Sequence, residues 1–228
     1  MLDPIPVQQK ALLAALTVVI VLTGIGARLG GMSLAMLLHF IQRIAFGYSV
    51  DAVISQESFL RGVSASSPMR RVLMLATCGL VAGVGGWAVH RFGRPLVSIK
   101  KAVRADDPRM PVIATAAHAL LQIITVALGS PLGREVAPRE IGATLAGWLS
   151  YRAGLPPEVS RITVACGAGA GLAAVYNVPL GGALFFLEVL LGTFSLSALI
   201  PAITASVIAP LVAWIGLGDR SRIWSRTL

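Results

Sequence analysis

A short segment at 129–138 places charged residues between glycines and prolines inside an otherwise apolar sequence. It reads Gly-Ser-Pro-Leu-Gly-Arg-Glu-Val-Ala-Pro and follows an apolar run at 112–128. A helical stretch begins near Glu135, and a helix N-terminus inside a bilayer offers an anion unpaired N–H groups and about half a positive charge. A carboxylate at that place can itself occupy the anion's position. We therefore interpret Glu135 as a candidate gate that admits an anion when it moves aside or is protonated.

The spacing of the charges leaves a second interpretation of Glu135 open. Arg134 and Arg139 lie close to it in sequence, and ionisable residues inside membranes are often paired with one another. Glu135 is then either a gate or one member of a structural ion pair. In the gate interpretation, Gly133, Arg134 and Val136 frame the anion site through their backbone groups.

A second stretch, at 166–188, is rich in small residues and ends in a carboxylate. Asn177-Val-Pro179 predicts a sharp break between two short helices, and Glu188 ends an apolar run, where it must be solvated or paired. Small residues at four-residue spacing also predict close helix contacts. The pairs with this spacing are Gly26/Gly30, Gly79/Gly83 and Gly167/Gly171.

The composition excludes a soluble globular domain. Of 228 residues, 56% are apolar and 13% are charged, whereas soluble domains carry about 25% charged residues. The mean hydropathy is +0.80. These values are typical of an integral, multi-pass, all-α membrane protein in contact with lipid.

The charged and nucleophilic residues do not indicate nucleic-acid binding, a metal site or an enzyme. The sequence holds 19 Lys and Arg against 10 Asp and Glu, but the cations are scattered between apolar runs without an aromatic-interleaved basic face. Cys78 and Cys166 lie at no ligand-like spacing from the histidines. No nucleophile, base and orienting group come together. We expect no nucleic-acid partner, metal, cofactor or catalytic residue.

The apolar runs predict one membrane domain over residues 1–228, with long helices first and short or interrupted ones later. Broken helices of this kind surround internal sites in transporters. The predicted segments are a cytoplasmic N-terminus at 1–10, membrane helices or half-helices at 11–46, 72–91, 111–131, 133–150, 161–176, 179–193 and 196–217, and a tail at 218–228.

Loop charges predict the orientation. The loop at 91–109 holds the largest cluster of Lys and Arg, which the positive-inside rule assigns to the cytoplasm. The N-terminus is then cytoplasmic as well, and the loop at 42–71 lies outside. The cell membrane is the expected location.

The segment at 133–142, GREVAPREIG, together with GAGAGLAAVYNVPLGGALFFLEV at 167–189, resembles the CLC family of chloride channels and anion/proton exchangers. The second segment carries the stronger likeness, because the small residues, the aromatic-Asn-x-Pro-Leu break and the Leu-Glu pair recur in order. The resemblance implies transport of chloride or a similar small anion. It also implies that Glu135 matches the gating glutamate of the family.

The sequence departs from the family pattern at several positions. Val136 and Ala137 stand where the family has Gly-Pro, and Pro138 comes one residue later. The family's Gly-Ser-Gly-Ile-Pro motif is replaced by Gly-Arg-Pro-Leu-Val-Ser at 93–98, where Ser98 is the candidate hydroxyl for the anion.

A further departure concerns proton coupling. Exchangers of the family carry a second glutamate directly after the Leu-Glu pair, but this sequence has Val189, as channel members do. The substitution predicts passive or weakly coupled transport. Glu188, one position earlier, is the candidate surrogate for the missing glutamate.

The resemblance covers the first half of a CLC subunit, whose two halves are inserted in opposite senses around the anion. The expected fold is therefore a set of tilted and broken helices equivalent to that half of the inverted repeat. Family members are homodimers, so a homodimer or a missing second half are the expected partners. The cationic loop at 91–109 opposes antiparallel insertion of two identical copies. The alternative function is a truncated, inactive or interaction-only membrane protein derived from a CLC transporter.

Overall fold

The structure of the protein is a computed structural model that describes residues 7–47, 59–192 and 196–217. The predicted tail at 218–228 and residues 1–6 of the predicted N-terminal segment lie outside the described residues. Over the described ranges the chain forms helices and no strand, which confirms the all-α class. The helices are α1 (Val7–Phe46), α2 (Phe59–Ala65), α3 (Pro68–Phe92), α4 (Ile99–Arg104), α5 (Val112–Ala127), α6 (Val136–Arg152), α7 (Pro157–Tyr176), α8 (Pro179–Phe185), which continues as a π-helical segment at Phe186–Leu191, and α9 (Leu196–Leu217).

Long apolar helices identify a multi-pass membrane protein. Among the described residues, Gln8–Phe46, Pro68–Phe92 and Pro157–Tyr176 are long and apolar enough to cross a bilayer. α1 has 40 residues, about twice the roughly 20 that one crossing requires, so it must tilt or extend beyond the hydrocarbon. α3 leaves large apolar side chains exposed, as a lipid-facing helix does. The later apolar helices, Val112–Ala127, Pro179–Leu191 and Ala198–Val212, are shorter.

Two short helices lie in segments that the sequence pattern predicted as loops. α2 falls within 42–71 and α4 within 91–109. With 7 and 6 residues, both are too short for apolar periodicity to reveal. α4 begins where the Ser98 hydroxyl accepts a hydrogen bond from the Lys101 N–H at 3.3 Å, an N-cap that a serine before a helix provides.

The chain divides into two compact units. The first contains Met1–Gly31, Val97–Met110 and Pro138–Leu228, and the second contains Met32–Leu96 and Pro111–Ala137. In the first unit, α7 is the central helix, because every residue from Thr163 to Gly171 is buried. It packs against α4, α8 and α9. A helix that is apolar on all sides takes such an interior position.

Glycines bring the backbones around α7 into direct contact. A Cβ atom on Gly142 of α6 would meet the carbonyl oxygen of Gly167, and a Cβ atom on Gly167 would meet that of Gly142. Gly171 lies against Pro138 in the same way. On α8, Gly182 makes the equivalent contact with the carbonyl oxygen of Gly169. The helices of this unit therefore pack through small residues, as membrane helices commonly do.

The predicted contacts at small-residue pairs are confirmed for two pairs, and the third pair has no neighbouring helix among the described residues. Gly167 and Gly171 lie against α6, and Gly26 and Gly30 of α1 lie against its side chains Leu145 and Ile141. A Cβ atom on Gly79 or Gly83 of α3 would have no neighbour within 4 Å among the described residues. The four-residue spacing marks a smooth helix face but does not specify that another helix covers it.

In the second unit, α3 packs against α5. The Cys78 thiol of α3 donates a hydrogen bond to the Thr125 carbonyl at 3.3 Å. Phe46, at the end of α1, joins Cys78 and Leu128 in a small buried cluster. Cys78 is thus a packed side chain with a backbone partner.

Arginine side chains cap the C-terminal ends of several helices. A helix C-terminus leaves carbonyl groups unpaired and carries about half a negative charge, which a guanidinium satisfies on both counts. At the end of α1, Arg70 donates from Nε and Nη2 to the Ala45 and Ile44 carbonyls at 2.7 and 2.8 Å. At the end of α2, Arg71 donates from Nη2 to the Ser64 and Ser66 carbonyls at 2.9 and 2.8 Å. Arg161 Nε donates to the Ala105 carbonyl at the end of α4 at 2.8 Å, and Arg28 Nη1 donates to the Ala174 carbonyl of α7 at 2.6 Å.

The glycine contact between α6 and α7 makes a stability prediction with an internal control. Gly167→Ala adds a methyl group against the backbone of α6 and is expected to destabilise the protein by about 1–3 kcal/mol, the usual cost of overpacking. Gly79→Ala adds the same group where the described chain has no neighbour, and helix propensity makes it neutral or stabilising by up to about 1 kcal/mol. Thermal unfolding in detergent measures both, and equal midpoints for the two variants would contradict the packing.

The arginine cap on α1 predicts a second stability effect. Arg70→Gln removes charged donors from two carbonyl groups and is expected to cost about 1–2 kcal/mol, which lowers the unfolding midpoint by about 2–4 °C per kcal/mol. Arg94→Gln removes an equal charge from an exposed residue between α3 and α4 and is the control. A midpoint that falls equally in both variants would mean that net charge, and not the cap, is responsible.

Candidate functional site

The candidate site lies in the turn that joins α5 to α6, within the second unit. α5 ends at Ala127, and Gly129 follows with φ +107°, a conformation that favours glycine. The Ser130 N–H then donates to the Thr125 carbonyl at 3.1 Å. The turn therefore closes on the last residues of α5. The chain then continues through 131–135 to the beginning of α6.

The Glu135 side chain folds back over Gly133. Both carboxylate oxygens of Glu135 lie where a Cβ atom on Gly133 would stand, so this position accepts glycine and no larger residue without displacing the carboxylate. Glu135 is partly buried and directly precedes α6. A negative charge is thereby placed at the N-terminal end of α6, where the helix dipole stabilises it.

The first turn of α6 provides backbone donors at this point. α6 begins at Val136, and Ala137 is fully buried. The first N–H groups of a helix have no acceptor within the helix. Pro138 is the third residue of α6, where its missing N–H removes no intrahelical hydrogen bond. The one-place shift of the proline from the family pattern is therefore compatible with the helix start.

Positive and polar side chains surround the same turn. Arg134 is exposed. Its positive charge and that of Arg43 both reach the His39 imidazole of α1. The Gln122 side chain of α5 donates a long hydrogen bond, 3.5 Å, from Nε2 to the Gly133 carbonyl. Its Oε1 atom is buried and has no partner in the part of the chain that the structure describes. The surroundings of Gly133 thus combine positive charge with an amide donor.

Ser98 lies in the first unit, apart in sequence from the turn at Glu135. It is exposed and forms the N-cap of α4. Its oxygen accepts from the Lys101 N–H, which leaves its own O–H available as a donor. The predicted hydroxyl therefore sits at a helix N-terminus.

Glu188 and Val189 lie in the π-helical segment at Phe186–Leu191, also in the first unit. Both side chains are exposed, whereas the neighbouring Leu187 and Leu190 are buried. The segment packs against α4. π-Helical turns are rare and often occur at functional positions.

The structure thus brings Gly133, Arg134, Glu135 and Val136 together in one turn of the second unit. In the first unit, α4 packs against the segment that contains Glu188. Gln122 was missed at the sequence level. Its signal is a polar residue in the middle of the apolar run at 112–128, a position that such residues rarely occupy without a role. Within the described ranges, no group of three His, Cys, Asp or Glu side chains could hold a metal ion.

Comparison with known proteins identifies the family. The sequence model described as voltage gated chloride channel matches residues 78–225, which is more than half of the chain. The chain belongs to the voltage-gated chloride channel (CLC) family. The match includes both segments on which the resemblance rested, and it begins at Cys78 in α3.

Individual relatives are bacterial CLC proteins. The voltage-gated ClC-type chloride channel ClcB of Yersinia pseudotuberculosis serotype O:1b is 33% identical over 171 residues, which are 73% of this chain and 41% of that protein. ClcB of Escherichia coli O139:H28 is 36% identical over 160 residues, which are 68% of this chain and 38% of that protein. The present chain therefore spans about two fifths of the length of these curated relatives.

A solved structure shares the fold. The crystal structure of a slow cyanobacterial Cl⁻/H⁺ antiporter matches with a TM-score of 0.62 and 20% identity, over 96% of this chain and 48% of that chain. The coverage agrees with the resemblance to the first half of a CLC subunit. The broken helices of the described chain are those of a CLC half.

Proposed function

We propose that the chain takes part in passive or weakly coupled transport of chloride, or a similar small anion, across the cell membrane, with Glu135 as its gate. Membership of the CLC family supports transport of anions by the whole protein. The half of the subunit that carries Glu135 supplies the gate and one side of the anion site.

One observation carries the proposal for the gate. The Glu135 carboxylate lies against Gly133 immediately before the first helical residue of α6. An anion at this helix end would be attracted by the same N–H groups and the same dipole. The carboxylate and the anion therefore compete for one position, and displacement of the side chain opens it.

The other predicted residues take supporting roles. Val136 offers the anion a backbone N–H at the beginning of α6, and Ser98 remains the candidate hydroxyl that the family resemblance implies. Val189 stands in the place of the second glutamate of exchangers, which favours weak proton coupling. Glu188 is exposed beside it and supplies the nearest carboxylate for any residual proton transfer.

The assembly belongs to the same proposal. A second half, inserted in the opposite sense, completes the anion site, and the whole protein forms a homodimer with a cytoplasmic N-terminus. The alternative, an inactive or interaction-only protein, makes the opposite prediction for the flux experiment that follows.

Chloride flux from liposomes that contain the purified protein tests the gate. Glu135→Gln is expected to raise passive flux about two- to thirtyfold, because a carboxylate at a helix N-terminus is held there by about 0.3–2 kcal/mol. Glu158→Gln is the matched control, since Glu158 is an exposed carboxylate in the first turn of α7. Equal flux in the parent and Glu135→Gln proteins refutes the gate. The absence of flux from every protein refutes transport by this chain on its own and supports the alternative for the isolated chain.

The contact between Glu135 and Gly133 predicts a second phenotype. Gly133→Ala places a methyl group where the carboxylate lies and is expected to raise flux in the same direction as Glu135→Gln. Because both changes act through one side chain, the double variant should show no further increase. Flux that rises additively in the double variant would show that Gly133 acts independently of Glu135.

A further inference from the structure

α4 ends beside the first turns of α7. Arg161, in the second turn of α7, donates from Nε to the Ala105 carbonyl at 2.8 Å and from Nη2 to Asp106 Oδ1 at 2.9 Å. α7 is long enough to cross a bilayer. The C-terminal end of α4 therefore lies beside the N-terminal turns of a helix that is long and apolar enough to cross a bilayer.

The last turns of α6 lie at the same end of the first unit. A Cβ atom on Gly147 of α6 would stand 3.6 Å from the Pro108 carbonyl and 3.7 Å from the Cα atom of Arg109. The Arg109 guanidinium stacks on the Tyr151 ring at 4.2 Å. The loop after α4 is thus fixed against both α6 and α7.

α4 separates apolar and cationic residues between its two sides. Ala102 and Val103 are buried, whereas Lys100, Lys101 and Arg104 are exposed. In the part of the chain that the structure describes, these three cations form no ion pair. A short helix with this distribution presents an uncompensated positive face to its surroundings.

The nearby carboxylates are engaged elsewhere. Asp106 pairs with Arg161. Asp107 accepts from Arg109 Nε and Nη2 at 2.8 and 2.7 Å, and these hydrogen bonds hold the pKa of the Asp107 carboxyl below its usual value. Both carboxylates therefore hold the loop in place, and neither forms an ion pair with Lys100, Lys101 or Arg104.

An aromatic and cationic pair lies in the last turns of α6, the helix on which the loop after α4 packs. The Arg152 guanidinium lies 5.1 Å from the centre of the Trp148 ring, and both residues are exposed. Tryptophan and arginine at the end of a membrane helix are typical of the interface between lipid and water, where the ring meets acyl chains and the cation meets phosphate.

We propose that Lys100, Lys101, Arg104 and Arg152, with Trp148, form a basic patch that binds the headgroup phosphate of an anionic phospholipid. The three cations of α4 form no ion pair within the described residues, and a negative lipid supplies the complementary charge. An exposed tryptophan ring beside the cations favours a ligand that carries acyl chains over a free anion.

Native mass spectrometry of the full chain, released from micelles with phosphatidylglycerol or phosphatidylcholine, measures this binding without requiring transport. The triple variant Lys100→Gln, Lys101→Gln, Arg104→Gln is expected to bind phosphatidylglycerol more weakly by about tenfold or more, because each surface cation contributes substantially to attraction by anionic lipid. The variant Lys10→Gln, Arg91→Gln, Arg94→Gln removes equal charge from exposed residues elsewhere and should retain binding. Lys100→Arg with Lys101→Arg keeps the charge and should also retain it.

The results distinguish a lipid site from a site for a free ion and from a non-specific effect of charge. Selective loss in the α4 variant, with phosphatidylcholine binding unchanged in all variants, supports the patch. Equal loss in both triple variants shows a non-specific charge effect and overturns it. Displacement of the lipid by millimolar inorganic phosphate shows a site for the free ion, which also overturns it. Loss of binding in the charge-preserving variant would mean that the substitutions disturb folding and that the patch is not the determinant.

Discussion

The unpaired backbone groups at helix ends are the constraint on which this fold depends. A helix leaves its first N–H and last C=O groups without intrahelical partners, and a bilayer offers no water to satisfy them. A chain of short and broken helices has many such ends. Arginines answer the need at C-termini, where Arg28, Arg70, Arg71 and Arg161 donate to the carbonyl groups that close α7, α1, α2 and α4. These four arginines therefore serve the helices themselves and are not free charges in loops.

At the beginning of α6 the unpaired groups are N–H donors, so the partial charge is positive. This charge gives the site its chemistry. The N-terminal end of α6 carries positive charge and unpaired donors, and Glu135 places a negative group directly before it. Gly133 makes this possible because it has no side chain where the carboxylate lies. At the C-terminal ends, the arginines stay bound to the carbonyl groups as fixed structural partners. An N-terminal end satisfied by a mobile carboxylate is, in the proposed function, also a place where an anion can enter.

Sequence patterns predicted the elements better than their contacts. The all-α class follows from the apolar runs, and the break after α7 follows from Asn177, which adopts φ 55°, and Pro179, which begins α8. α2 and α4 were missed because they are too short for periodicity. The arginine caps were missed because the partners lie far apart in sequence, as Arg28 and Ala174 do. Residue types and order identified the candidate turn at 133–136. The position of the Glu135 carboxylate over Gly133 depends on a side-chain conformation that no spacing encodes.

The position of a bound halide in the Glu135→Gln protein tests the central claim most directly. Crystals grown in bromide and measured at the bromine absorption edge locate the ion without reference to flux. The account predicts bromide within hydrogen-bonding distance of the Val136 and Ala137 N–H groups, in the space that the carboxylate occupies in the parent protein. Bromide at this position in the parent protein, with the carboxylate still over Gly133, would contradict the account, as would a Glu135→Gln structure with no bromide at the beginning of α6.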